Sequence, residues 1–102
     1  MSILHTVNKS PFEHKTLELC LQIINSHHSL LLIEDGVYAA LIDNPYSEQL
    51  EQLQTQGLSI YALRDDLNSR GLDINLIKGI AAISMDDFVA LCSNHTKTQS
   101  WY

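Results

Sequence analysis

Charge is scarce in this chain. Asp, Glu, Lys and Arg together make up 18% of the 102 residues, against about 25% in an average globular protein. A short chain has a high ratio of surface to volume and should carry a generous share of charge. The deficit implies that part of the surface does not face water. Positive charge is scarcest: 6 Lys and Arg oppose 12 Asp and Glu, for a net charge of −6. No basic run is present, which excludes backbone-driven nucleic-acid binding. No segment carries the Lys- and Arg-rich polar face of a membrane-surface helix. Apolar runs such as residues 30–33 and 37–42, the latter the longest, are far too short to cross a bilayer. Residues 1–6 have neither the basic region nor the apolar core of a signal peptide. Only two cysteines occur, and without an export signal they point to the reducing cytoplasm rather than a disulfide framework. The sequons at Asn8 and Asn94 are then chance matches. The 4 glycines are scattered at Gly36, Gly57, Gly71 and Gly79, so no phosphate-cradling loop exists. A Gly-x-Ser-x-Gly nucleophile elbow is missing too. With no repeat, linker or low-complexity stretch, residues 1–102 read as a single domain.

What is present is an alternation of short apolar runs with helical patterns, the habit of an α/β domain. Residues 3–7 open as a strand. Ser10, Pro11 and Glu13 then have the order of a capping box with proline at the first helical position. The helix expected there carries Leu17, Cys20, Leu21 and Ile24 at i, i+3, i+4 and i+7, and fades near residues 25–28. Residues 30–33 are continuously apolar, as in a strand covered on both faces. Glu34-Asp35-Gly36 breaks that strand, and residues 37–42 tilt toward a short helix. Asn44-Pro45 starts another helix, with Tyr46, Leu50 and Leu53 as its stripe and Gly57 at its end. Residues 58–63 form the third strand, 64–70 a short helix closed by Gly71, and 79–83 the fourth strand. Ser84-Met85-Asp86-Asp87 begins a last helix, its acidic residues placed where the macrodipole favours them. Phe88, Leu91 and Cys92 supply its buried stripe. Residues 98–102 make a short fifth strand. The expected architecture is an open, mostly parallel five-stranded sheet flanked by helices, with right-handed crossovers. In such sheets chemistry sits outside the carboxyl ends of the strands. Here those ends are Asn8-Lys9, Glu34-Asp35-Gly36, Arg64-Asp65 and Ser84-Met85.

Few residues could carry chemistry. Cys20 is the candidate thiol, since a thiolate can accept a sulfane sulfur and pass it on. It also lies in register with Leu17 and Leu21, where a cysteine serves as a small apolar residue. Its place well inside the helix provides no N-terminal dipole to lower its pKa. Cys92 sits on a stripe as well, beside Leu91 and Phe88. The histidines His5, His14, His27, His28 and His95 have neither i, i+4 pairing nor zinc-site spacing, so no metal is expected. His5, in the first strand, reads as a satisfied, half-buried imidazole. Glu34-Asp35-Gly36 combines the elements of an acid/base pair with those of a simple turn, and the turn is the more economical reading. Asp86 and Asp87 belong to a helix start. No cofactor is indicated.

The opening Ile3-Leu4-His5-Thr6-Val7-Asn8-Lys9-Ser10-Pro11-Phe12 resembles the start of the TusB/DsrH family of small sulfur-relay proteins. The likeness continues in Leu30-Leu31-Leu32-Ile33-Glu34-Asp35-Gly36-Val37-Tyr38-Ala39-Ala40 and in Ile60-Tyr61-Ala62-Leu63-Arg64-Asp65-Asp66-Leu67. It returns in Arg70-Gly71-Leu72 and Asp87-Phe88-Val89-Ala90-Leu91, and ends in Gln99-Ser100-Trp101. In order and spacing these blocks span essentially the whole chain. The resemblance implies an α/β fold and a cytoplasmic heterohexamer formed with two related small subunits, of the DsrE/TusD and DsrF/TusC types. Such an assembly moves persulfide sulfur between carriers, including a DsrC/TusE-type protein. Its product is either 2-thiouridine at the tRNA wobble position (TusB branch) or oxidised stored sulfur (DsrH branch). TusB-type chains often lack a cysteine in the first helix and DsrH-type chains carry one. Cys20, the Met1-Ser2-Ile3 start and the Glu34-Asp35-Gly36 turn therefore lean toward DsrH. The resemblance makes Cys20 a candidate persulfide carrier while implying that the main acceptor cysteine belongs to the DsrE/TusD subunit. This chain then serves chiefly as scaffold, and Cys92 has no counterpart in the family pattern.

Overall fold

A computed structural model of the chain describes residues 2–72 and 75–102. Met1, part of the Met1-Ser2-Ile3 start, lies outside the described residues. Five strands form one sheet: β1 (Ile3–Val7), β2 (Ser29–Leu32), β3 (Ser59–Leu63), β4 (Ala81–Ile83) and β5 (Lys97–Trp101). Their order is β4-β3-β2-β1-β5, and every neighbouring pair is parallel. The expected "mostly parallel" sheet is parallel throughout. The register sets Leu4 against Ser29, Leu31 against Tyr61, and His5 against Gln99.

The order dictates where the helices lie. Stepping from β1 to β2, β3 and β4 moves always toward the same edge. Right-handed crossovers then put all three connections on one face. These connections hold α1 (Thr16–Leu21), a 3-10 helix (Glu34–Ala40), α2 (Ser47–Thr55) and α3 (Arg64–Ser69). Their inward residues Leu17, Cys20, Val37, Leu50 and Leu67 build the larger core with Val7, Leu30, Leu32, Ile60 and Ala62. The last connection returns from β4 across the sheet to β5, so α4 (Met85–Asn94) lands on the opposite face. There it meets a smaller core of Leu4, Leu31 and Ile83. No residue of α4 is fully buried. Phe88, Leu91 and Cys92, expected as a buried stripe, are only half-buried, because a single helix covers a face that needs two.

Local signals were displaced rather than absent. Ser10 does not cap a helix: its Oγ accepts the Phe12 N–H at 3.2 Å, and its carbonyl accepts from Glu13 and His14. That makes one isolated turn, and α1 starts only at Thr16. Residues 13–16 carry no apolar side chain to hold a first helical turn on the sheet, and packing is what stabilises a short helix. Asn44 likewise organises a turn, its Oδ1 accepting the Tyr46 N–H at 2.8 Å, and α2 begins at Ser47. Glu34-Asp35-Gly36 is not a break before a helix; it is the first turn of the 3-10 helix, and Leu41 leaves that helix to pair with Leu76. The last helix start matches its chemistry closely. Ser84 Oγ accepts the Asp87 N–H while the Asp87 carboxylate accepts the Ser84 N–H, a complete capping box.

Gly36 is the tightest point of the fold. A Cβ there would overlap the Val7 carbonyl oxygen, itself bonded to the Ile33 N–H at 3.0 Å. Glycine is needed for close approach of two backbones at the ends of β1 and β2. Gly36→Ala is expected to lower stability by about 3 kcal/mol or more. Urea unfolding checks this; a midpoint within error of the parent would refute it.

Candidate functional site

Because the strands are parallel, their carboxyl ends gather on one edge, where sequence reasoning set Asn8, Glu34, Asp35 and Arg64. Glu34 adopts φ of 50°, an uncommon left-handed conformation for a side-chain-bearing residue. Its N–H donates to Asp66 Oδ2 at 2.7 Å. Arg70 donates from Nε to Asp35 Oδ1 at 3.0 Å and pairs through Nη2 at 2.9 Å. Its Nη1 donates to the Asp66 carbonyl at 3.1 Å. Arg64 donates across to the Ala82 carbonyl at 2.9 Å. Asp35 and Asp66 on this edge are therefore held by the chain's own donors. The turn reading of Glu34-Asp35-Gly36 fits this arrangement, in which Asp35 is engaged by Arg70. Asn8 Oδ1 is buried there without a hydrogen-bond partner among the described residues.

Cys20 lies on the inner side of α1, fully buried with Leu17 and Leu21. Burial pushes its thiol up to about 12. Desolvation disfavours the thiolate, and nothing positive compensates it. In the folded chain the thiol is protonated and buried. Cys92, on α4, is half-buried.

The histidines divide into three groups. His14 and His27 are exposed. His95 bridges α4 and β2: Nδ1 contacts the Leu91 carbonyl at 2.7 Å and Nε2 the Ser29 hydroxyl at 2.8 Å. A carbonyl only accepts, so Nδ1 carries the proton and Ser29 donates to Nε2. His5 is fully buried rather than half-buried. The indole Nε1–H of Trp101 donates to His5 Nδ1 at 3.0 Å, and His5 Nε2 lies 2.9 Å from His28 Nδ1. Because indole only donates, His5 holds its proton on Nε2 and gives it to His28. Burial, and then the neighbouring His28, hold His5 down at about 4. His28 is lowered as well, by burial and by His27. Sequence reasoning named these residues singly and missed their meeting, since His5 and Trp101 lie 96 positions apart. The available signal was alternation: His5 shares its strand face with Val7, and Trp101 pairs with Val7. Among the described residues no group of three His, Cys, Asp or Glu is placed to hold a metal ion. No helix among them is long and apolar enough to cross a membrane.

Fold and site together define a class: a small, all-parallel α/β protein whose strand-end edge is closed by its own ion pairs and whose helical thiol is buried. The sequence model of the family described as "DsrH like protein" matches residues 9–98. Protein TusB of Shigella flexneri is 36% identical over 99 residues, covering 97% of this chain and all of the relative. Protein TusB of Klebsiella pneumoniae is 33% identical over the same coverage. Among solved structures, the ychN protein of E. coli superposes with a TM-score of 0.85 at 20% identity, covering 98% of both chains. A protein of unknown function from Methanobacterium thermoautotrophicum superposes with a TM-score of 0.76 at 15% identity, covering 96% of both. The chain belongs to the TusB/DsrH family.

The two thiols should respond very differently to a pulse of iodoacetamide under native conditions. Cys92 is expected to be alkylated at least about tenfold faster than Cys20. Peptide mapping by mass spectrometry measures both; equal rates would contradict the buried placement of Cys20.

Proposed function

We propose that this chain is a scaffold-type subunit of a cytoplasmic sulfur-relay complex of the TusB type, serving 2-thiouridine formation at the tRNA wobble position. Support comes first from the full-length similarity to relatives named Protein TusB. Cys20 had favoured the DsrH branch of intracellular sulfur oxidation. Its position is accounted for by packing against Leu17 and Leu21, so it no longer discriminates between the branches.

The same burial favours a structural role over persulfide carriage. Sulfur transfer to Cys20 needs a thiolate in contact with a donor, and this thiol is neither ionised nor accessible. The persulfide-bearing cysteine then belongs to a DsrE/TusD-type partner, with a DsrF/TusC-type subunit completing the heterohexamer and a DsrC/TusE-type carrier receiving the sulfur. Exposed large apolar side chains are distributed to suit a subunit. Leu19 and Ile23 follow one another at i, i+4 along α1 and the turn after it, and Met85 and Val89 do so on α4, on the opposite layer. Burial against partners answers the shortage of charge. The acidic balance suits a protein acting upstream of the tRNA rather than gripping it.

Deletion of the gene, followed by mass spectrometry of tRNA nucleosides, tests this reading. The expected result is loss of wobble 2-thiouridine, restored equally by the parent chain and by Cys20→Ala. Unchanged 2-thiouridine together with impaired oxidation of stored sulfur would assign the DsrH branch instead. Failure of Cys20→Ala to restore thiolation, with the complex assembled, would overturn the scaffold role and make Cys20 a persulfide carrier.

A further inference from the structure

β5 is an edge strand, joined by its ladder to β1 alone. Lys97, Thr98 and Ser100 are exposed, Gln99 and Trp101 are partly buried, and Trp101 packs against the larger core, while Ser2 accepts from the Thr96 and Lys97 N–H groups at the other end. The side-chain hydrogen bond that fastens its carboxyl end to β1 runs from the Trp101 indole to His5. His5 continues the connection to His28, in the turn before β2. The imidazoles lie 4.8 Å apart between centroids, and the indole lies 6.2 Å from His5. One chain of three rings thus ties β5 through β1 to the start of β2.

The direction of donation in this chain is fixed. An indole nitrogen has a proton to give and no lone pair to offer. His5 Nδ1 must therefore be unprotonated. A proton there sets donor against donor and places an imidazolium inside the core, where charge is strongly disfavoured. We propose that the Trp101–His5–His28 chain is an acid-released latch that fastens the C-terminal strand to the sheet.

The surroundings reinforce this. Ile3 and Val7 flank His5 on its own strand face, and neither is charged. From β5, Gln99 stands opposite His5, with the exposed Lys97 on the same face. From α1, the inward groups are Leu17, Leu21 and the protonated thiol of Cys20, while Glu18 is exposed. From the turn before β2 come His28 and His27. Among these described neighbours the side chains beside His5 offer no carboxylate partner, and His5 accepts from Trp101 and contacts His28 instead. His5 is accordingly held at about 4 in the fold against an ordinary 6.5. The sign follows. A histidine lowered by folding favours the latched state fully above pH 6.5. That contribution is lost as the pH falls toward about 4, where His5 takes the proton even in place.

Hydrogen exchange of the whole chain, followed by mass spectrometry at pH 7 and pH 4.5 and corrected for intrinsic rates, tests the latch. Residues 97–101 are expected to lose protection at least about tenfold more than β2 and β3. His5→Gln supplies an amide that accepts from the indole and donates to His28 without titrating. It is expected to keep β5 protected at both pH values. Three results would overturn the proposal: β5 protection independent of pH, an equal loss across all strands, or a parent-like pH response in His5→Gln. Should His5→Gln not fold, Trp101→Phe decides. It keeps a ring but removes the donor, so β5 should exchange about fivefold faster at pH 7 and gain little more at pH 4.5. Parent-like protection and pH response in Trp101→Phe would equally sink the latch.

Discussion

An all-parallel sheet must be covered on both faces, and that constraint governs this molecule. Parallel strands leave each central strand with apolar side chains on both sides. β2 meets the demand in full: Leu30, Leu31 and Leu32 are all completely buried. One face receives three connections and closes over a continuous core. The other receives α4 alone, because only the return from β4 to β5 reverses direction. The unevenness of the two cores, the half-burial of Phe88 and Leu91 and the exposure of Met85 and Val89 all follow from one step in the strand order.

The same geometry fixes where chemistry is possible. A strand-end edge is a natural place for a reaction in a parallel sheet. Here Arg70, Asp35, Asp66 and the Glu34 N–H satisfy one another, and Gly36 brings two backbones into contact at the ends of β1 and β2. The thiol that could take sulfur faces the interior. An apolar environment suits Cys20 as a packing residue and deprives it of the thiolate that sulfur chemistry requires. Membership of the TusB/DsrH family and a buried Cys20 are consistent with the scaffold role proposed above.

Much of the fold was legible. The strand runs at residues 3–7 and 58–63 and the double-sided apolar run of β2 appear in the structure within a residue or two. Ser84 and Asp87 announced their helix, because a capping box is a local reaction between neighbours. Ser10, Pro11 and Glu13 carried the same signature and did not make a cap. A cap contributes about 1 kcal/mol, and that is too little without an apolar first turn to pack. The stripe of Phe88, Leu91 and Cys92 was correctly oriented, but its depth depended on how many helices share its face. His5, His28 and Trp101 could not be grouped from their positions, since no local rule links residue 5 to residue 101.

The sequence by itself determined the class: apolar runs of strand length, helical stripes between them and two uncommitted cysteines define a small α/β domain, because period and composition act over a few residues. It also determined the family, through short blocks kept in order along the whole chain. Tertiary structure alone decided that Cys20 is sealed, that Asp35 and Asp66 at the strand-end edge are already partnered, and that an indole, two imidazoles and three strands meet at one point. Burial and hydrogen-bond partners are properties of neighbours in space, and in this fold the decisive neighbours come from opposite ends of the chain.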